Sequence, residues 1–296
     1  MKPLSRNKRR GYLLFFFLVF VVSAPIFILQ AKGYRINWGD VVKISQTGGL
    51  YISNDQSGIA IAVNDELVKT TSIVQKGIFI QDLKPGSYAV SASKEGLQTW
   101  HKTLKVFPEI VTEARTFLIA SEPELVSVPR FLEDDRKDAT STPQKLPVKN
   151  PDYEAINALF LPPPPKTAPI KPEKLATTSI DGKTLNDILV KNEKGKLVVL
   201  WMGGEDEIPN YFCENISCKP EIIVRSDSMI LSFDFFPGRD DLLIFRTEEG
   251  IYVSEIDDRS PQNMQKIISE PDFDFRIKDG KNVYLKKDAL LYAVSL

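Results

Sequence analysis

The sequence predicts a mostly β protein carried on one N-terminal membrane helix. Three observations lead there. Residues 12–29 form an uncharged apolar run. Apolar residues then recur with period two, or in short runs between turn signals, over 41–120 and again over 179–296. A proline-rich stretch, 121–178, separates these two regions. The chain has 296 residues, which leaves room beyond the helix for two modest domains.

The apolar run reads YLLFFFLVFVVSAPIFIL, with Tyr12, Leu13, Phe16, Val19, Val22, Pro25 and Leu29 along it. As a helix its 18 residues span roughly 27 Å, close to the hydrocarbon thickness of a bilayer. Lys2, Arg6, Lys8, Arg9 and Arg10 precede it without an acid among them. A basic flank of that kind stays in the cytoplasm, so tail 1–11 is expected inside and the bulk of the chain outside. The tail also suits anionic lipid heads. Two other readings compete with an uncleaved signal anchor. A cleaved signal peptide wants small residues just before the cut, but Ala24 is followed by Pro25, and Leu29-Gln30-Ala31 places a large residue there. The other is a buried helix of a soluble protein. Pro25 lacks a backbone donor and is expected to kink the outer half of the helix. Beyond it, Tyr34 and Trp38 suit either a membrane interface or packing on the next domain.

Over 41–120 the apolar positions Val41, Leu50, Ile52, Ile59, Ile61, Val63, Ile78, Ile80, Tyr88, Val90 and Ala92 mark short strands. Asn64-Asp65 and Lys84-Pro85-Gly86-Ser87 are turn signals, and Gly96 is expected in a left-handed conformation. Roughly seven strands in about 80 residues imply a small β-sandwich. Trp100 and His101 then point to opposite faces of one strand, Trp100 into the core and His101 outward.

Three blocks in this region resemble a PEGA domain: Gly58-Ile59-Ala60-Ile61-Ala62-Val63-Asn64-Asp65, Leu83-Lys84-Pro85-Gly86-Ser87-Tyr88-Ala89-Val90, and Lys94-Glu95-Gly96-Leu97-Gln98-Thr99-Trp100. The chain departs from the family where its eponymous Pro-Glu-Gly-Ala reads Gln56-Ser57-Gly58-Ile59, and where Leu97 replaces an aromatic. The resemblance implies a surface β-sandwich module that binds or spaces and carries no catalytic residues.

Eleven of the chain's 20 prolines fall from Pro123 to Pro172, including Pro162-Pro163-Pro164-Pro165, so 121–178 reads as a semi-rigid, extended linker. One island interrupts it. Asn150 is a helix N-cap residue, Pro151 suits the first helical position, and Asp152 and Glu154 are acids in the first turn. Ile156, Leu159 and Phe160 share one face of the resulting short helix near 151–160. That face suits docking onto a neighbouring domain of this chain, or onto a partner.

From 179 to 296, ten apolar runs joined by turn signals predict an antiparallel β-meander. The stretch Phe233-Asp234-Phe235-Phe236-Pro237-Gly238-Arg239-Asp240-Asp241-Leu242-Leu243-Ile244, followed by Gly250-Ile251-Tyr252-Val253, resembles a β-propeller blade. A blade takes about 40–45 residues, so the region holds about two and a half, fewer than a closed propeller needs. The resemblance leaves a partial propeller standing alone, or one completed by another chain.

Candidate chemistry is sparse. Cys213 and Cys218, four residues apart and expected outside the cytoplasm, suit a structural disulfide worth about 2 kcal/mol, with free thiols as the alternative. Redox motifs use a shorter spacing, and zinc needs more ligands than one histidine, His101, can add. Asn215-Ile216-Ser217 is a glycosylation sequon of little weight in a bacterial-type chain. Asp240, Asp241, Glu255, Asp257, Asp258 and Asp272 read as solvated turn residues. A net charge of −1 argues against a nucleic-acid partner. No catalytic, metal or cofactor site is expected. The expectation is a non-enzymatic, single-pass protein of the cell membrane that binds, displays or spaces at the cell envelope, with a cell-wall polymer or an envelope protein as partner. The alternatives are a subunit of a sensory or secretion assembly, and a cell-surface hydrolase.

Overall fold

The computed structural model describes residues 6–31, 33–37, 43–134, 146–161, 182–214 and 217–296. Lys2, Trp38, Val41, Pro162-Pro163-Pro164-Pro165 and Asn215-Ile216, on which expectations were placed, lie outside them. The protein is mostly β, with one N-terminal apolar helix and several open, largely antiparallel sheets. The helix runs unbroken from Arg6 to Ala31 with Pro25 inside it, so it takes in both the apolar run and the basic residues Arg6, Lys8, Arg9 and Arg10. Its 26 residues measure about 39 Å. None of them is buried, and Leu13, Phe16 and Phe27 stand 73%, 65% and 67% exposed. That exposure corrects the reading as a core helix of a soluble protein. The segment is long and apolar enough to cross a membrane.

The chain divides into two compact units, and the helix belongs to the first. The first comprises Met1–Val90 and Thr103–Thr116. In it, strand Gly48–Ser53 lies between Gly77–Leu83, antiparallel, and Val111–Arg115, parallel. Period two is visible in Gly48–Ser53: Leu50 and Ile52 are buried while Tyr51 is exposed. Gly48 is required there, because a Cβ would stand 2.1 Å from the Phe107 carbonyl oxygen. Strands Ala60–Val63 and Glu66–Thr70 form a hairpin. Its turn, Asn64-Asp65, takes φ of +50° and +67°, the positive pair that a tight two-residue hairpin demands.

The second unit comprises Ser91–Lys102 and Phe117–Leu296. The expected boundary at residue 120 therefore does not coincide with the compact units. Ser91–Lys102, read as part of the sandwich, clusters with the C-terminal half; Gly96 within it has the expected left-handed φ of +79°. Three four-stranded antiparallel sheets build most of this unit. The first joins Gly182–Leu185, Ile188–Glu193, Lys196–Trp201 and Glu221–Val224. The second joins Ser232–Phe235, Leu242–Arg246, Ile251–Glu255 and Met264–Ile268. The third joins Asp274–Lys278, Asn282–Lys287 and Leu290–Ser295, and its fourth strand is Glu124–Val128. Leu125 there pairs with Val294, and Ser127 with Tyr292.

This fourth strand lies inside 121–178, the stretch read as a Pro-rich linker with a short helix near 151–160. The strand missing from the C-terminal region comes from upstream in the same chain. Phe131–Asp134 also pairs with Leu146–Lys149, and Pro151–Ala158 is helical.

The first two sheets share a core: Ile188, Val190, Leu197 and Val199 with Leu243, Phe245 and Ile256. The helix Pro151–Ala158 starts on Asn150, whose side chain accepts from the Asp152 amide. Its Tyr153 and Ile156 pack on buried Leu291 of the third sheet, and the Tyr153 hydroxyl donates to the Ala289 carbonyl at 2.9 Å. Truncating that contact should be costly. Leu291→Ala should destabilise the second unit by about 2–5 kcal/mol in denaturant unfolding. It should also speed amide hydrogen exchange in Pro151–Ala158.

Candidate functional site: a buried charge cluster

A buried set of ionisable groups lies within the second unit, around Lys102. Strand Trp100–Val106 alternates strictly, with Trp100, Lys102, Leu104 and Val106 buried and the residues between them exposed. Lys102 therefore occupies an inward position, and its side chain is 0% exposed. Burying such a charge costs several kcal/mol unless partners replace its water. Here they do. Its Nζ lies 2.7 Å from Glu255 Oε1 and 3.2 Å from Asp257 Oδ2. It also donates to the carbonyls of Asp257 and Arg259, both at 3.0 Å.

Glu255 is held from four directions. Besides Lys102, it accepts from the Trp100 indole N–H at 3.0 Å, the Asn263 backbone N–H at 2.6 Å and the Asn263 side-chain amide at 2.7 Å. The Arg259 guanidinium forks onto Asp257, with Nε at 2.8 Å and Nη2 at 2.6 Å. Burial drives the Glu255 carboxyl above the usual carboxylate range, against the pull of Lys102. Burial also pushes Asp257 upward, but the hydrogen bond and charge of Arg259, with Lys102, outweigh it and hold Asp257 below its ordinary value. Arg259 is raised: burial opposes its charge, and Asp257 more than compensates.

Side-chain amides continue this seam. The Gln98 amide donates to the Lys266 carbonyl at 2.7 Å and accepts from the Lys266 N–H at 3.1 Å. The Asn263 amide does the same for His101, accepting from its N–H at 2.9 Å and donating to its carbonyl at 2.7 Å. Gln265 accepts from the Ile119 N–H and donates to the carbonyls of Gln98 and Phe117. Met264–Ile268 is the outermost strand of the second sheet. The amides therefore occupy an edge that would otherwise present open backbone groups.

Glu255 and Asp257, with Asp241, are buried, which corrects their reading as solvated turn residues. Asp241 is forked by the buried Arg239. Asp240 and Asp258 are half-buried, and Asp272 is exposed. The sequence did carry a signal. Lys102 shares strand parity with Trp100, Leu104 and Val106, and Glu255 shares it with Ile251 and Val253. A charge in register with core residues implies a buried counter-charge.

The other sequence-derived sites lie apart from this cluster in the chain's elements. Tyr12, Leu13, Phe16, Val19, Val22, Pro25 and Leu29 lie on the exposed N-terminal helix. Cys213 and Cys218 are bonded as register partners in a two-stranded ribbon. Ile156 is buried on the third sheet. Phe160 lies under the guanidinium of Arg276 and the amine of Lys286, and Leu159 stays 37% exposed while its carbonyl accepts from Arg276 Nε. Among the described residues no group of three or more His, Cys, Asp or Glu could hold a metal ion. Compared with protein-family models and with curated proteins, the chain matches none.

Two predictions follow from the cluster. Lys102→Met should destabilise the second unit by about 3–5 kcal/mol, because two carboxylates lose their shared partner. Adding Glu255→Leu should recover part of that loss, as read by denaturant unfolding. Acid titration should give opposite slopes for the two carboxylates. The raised Glu255 makes the protein gain stability relative to Glu255→Gln as pH falls through its folded pKa toward the unfolded value, about 4.3. The depressed Asp257 contributes stability above its unfolded value, about 3.9, and the advantage over Asp257→Asn should vanish as pH drops through the folded pKa.

Proposed function

We propose that this chain is a single-pass, membrane-anchored protein with its N-terminus in the cytoplasm. Its β-rich units are held at the outer face for non-catalytic binding, display or spacing. The observation that carries the reading is the helix Arg6–Ala31, which leaves every one of its apolar side chains out of the folded core. In water that surface would be far larger than a soluble monomer keeps exposed. The basic residues on the side of Arg6 favour a cytoplasmic N-terminus. The groups that could have done acid–base chemistry, Lys102, Glu255 and Asp257, are engaged with each other, with Trp100 and Asn263, and with backbone. That arrangement favours a structural role.

The partner class we favour is an envelope polymer or envelope protein, in keeping with the PEGA-like blocks around Asn64, Tyr88 and Trp100. A subunit whose C-terminal sheets need another chain is the weaker reading, because Glu124–Val128 supplies the fourth strand of the third sheet in cis.

The full chain should stay with the membrane through alkaline extraction. Protease added to right-side-out vesicles should remove the β-rich units. Release by alkali would overturn the anchor, and protection until lysis would overturn the orientation.

A further inference from the structure

The outward face of the three-stranded sheet in the first unit keeps two aromatic side chains in water. Period two sends Leu50 and Ile52 of Gly48–Ser53 into the core and Tyr51 outward, 38% exposed. Across from Tyr51, on Gly77–Leu83, stands Phe79, 48% exposed. Neither ring stands up from the sheet. A Cβ at Gly77 would meet Tyr51 Cζ at 2.6 Å, and one at Gly49 would meet Phe79 Cε2 at 2.9 Å. Each ring therefore lies across a glycine of the neighbouring strand, in the space a side chain would fill. Gly77 pairs with Ser53, on one side of the Tyr51–Phe79 pair, and Gly49 lies on the other. The rings thus spread in opposite directions along the sheet. Glycine weakens a strand interior, and it recurs where something must approach the backbone closely.

Polar groups flank the rings. Gly48–Ser53 pairs on its other side with Val111–Arg115, which sets Glu113 beside Tyr51 and Arg115 beside Ser53. Arg115 Nη2 lies 2.8 Å from Asp55 Oδ2. A carboxylate and a guanidinium each have more hydrogen-bonding positions than one partner fills.

Area and charge restrict the occupant. Tyr51, Phe79 and the 42% exposed Val111 together offer roughly 250 Å², taking about 200 Å² for a whole aromatic side chain. A stable protein–protein interface needs about 800 Å² from each partner, so the patch suits a narrower ligand. Two carboxylates, Asp55 and Glu113, against one guanidinium, Arg115, disfavour a polyanion. A neutral pyranose has the matching chemistry. The C–H groups of its faces lie well against electron-rich aromatic faces, and the hydroxyls at its rim reach charged side chains.

We propose that this face binds a neutral glycan strand, with Tyr51 and Phe79 under its sugar rings and Glu113 and Arg115 toward its hydroxyls. The proposal deepens the envelope-binding reading above and rests on it for taking the glycan to be an envelope polymer.

Saturation-transfer NMR on the full chain in phosphatidylcholine nanodiscs tests it, since such discs bring no sugar-headed detergent to compete. The probes are a β-linked N-acetylglucosamine tetrasaccharide and a polygalacturonate fragment of equal length. Transfer to the ring C–H protons of the neutral probe is expected, exceeding that to the acidic one. The double variant Tyr51→Leu, Phe79→Leu keeps an apolar cover over both glycines and removes the rings. It should weaken binding about tenfold, the equivalent of about 1.4 kcal/mol. Leu67→Ala, at an exposed position on Glu66–Thr70 in a different sheet, should leave binding unchanged. Circular dichroism checks the fold, and Phe79→Leu alone, on an edge strand, repeats the test if the double variant does not fold.

No transfer to the neutral probe, preference for the acidic one, or unchanged binding in the folded variant would overturn the proposal. The envelope-binding reading fails separately. A chain that retains a wall polymer through an unchanged double variant loses this site and keeps that reading, whereas protease protection of the β-rich units until lysis removes that reading whatever the purified chain binds.

Discussion

The second unit depends on neutralising one buried lysine. Lys102 stands in the inward register of a strand whose other inward residues are Trp100, Leu104 and Val106. Left unpaired there, its charge would cost more than most single contacts return. The chain answers with two carboxylates and two carbonyls from one short stretch, residues 255–259. Those acids are in turn fixed by Trp100, Asn263 and Arg259. Such a network adds little net stability over a well-packed apolar substitute, but its geometry is demanding. We regard it as the device that sets the register between Ser91–Lys102 and the second sheet.

Open sheets leave edges, and the second unit handles two of them differently. The outer strand of the second sheet receives side-chain amides from Gln98 and is braced by its own Gln265. The third sheet takes its outermost strand from far upstream in the chain, and the helix Pro151–Ala158 lies on it through Tyr153 and Ile156. Unpaired strands invite association with other chains.

Anchor and β-rich units answer to different solvents. The helix Arg6–Ala31 pairs its backbone along its own length and offers an uncharged, largely apolar run with a basic end, which suits lipid. The sheets bury Leu50, Trp100, Phe245 and their neighbours away from water.

The sequence by itself determined the local order. Period two placed Leu50, Ile52, Ile61 and Trp100 inward, because alternate side chains of a strand must face opposite ways. Asn150 and Pro151 placed the start of a short helix, and the unbroken run after Arg10 placed the long one. The spacing of Cys213 and Cys218 was enough to expect their bond. Only the tertiary structure decided which distant pieces close each sheet and each charge. Glu124–Val128 lies far along the chain from Leu290–Ser295, and Lys102 from Glu255, and nothing in either local pattern names the other. Local patterning fixes which face of an element is buried. It leaves open what that face is buried against, since strand edges and charges are satisfied by whatever the folded chain brings within hydrogen-bonding distance.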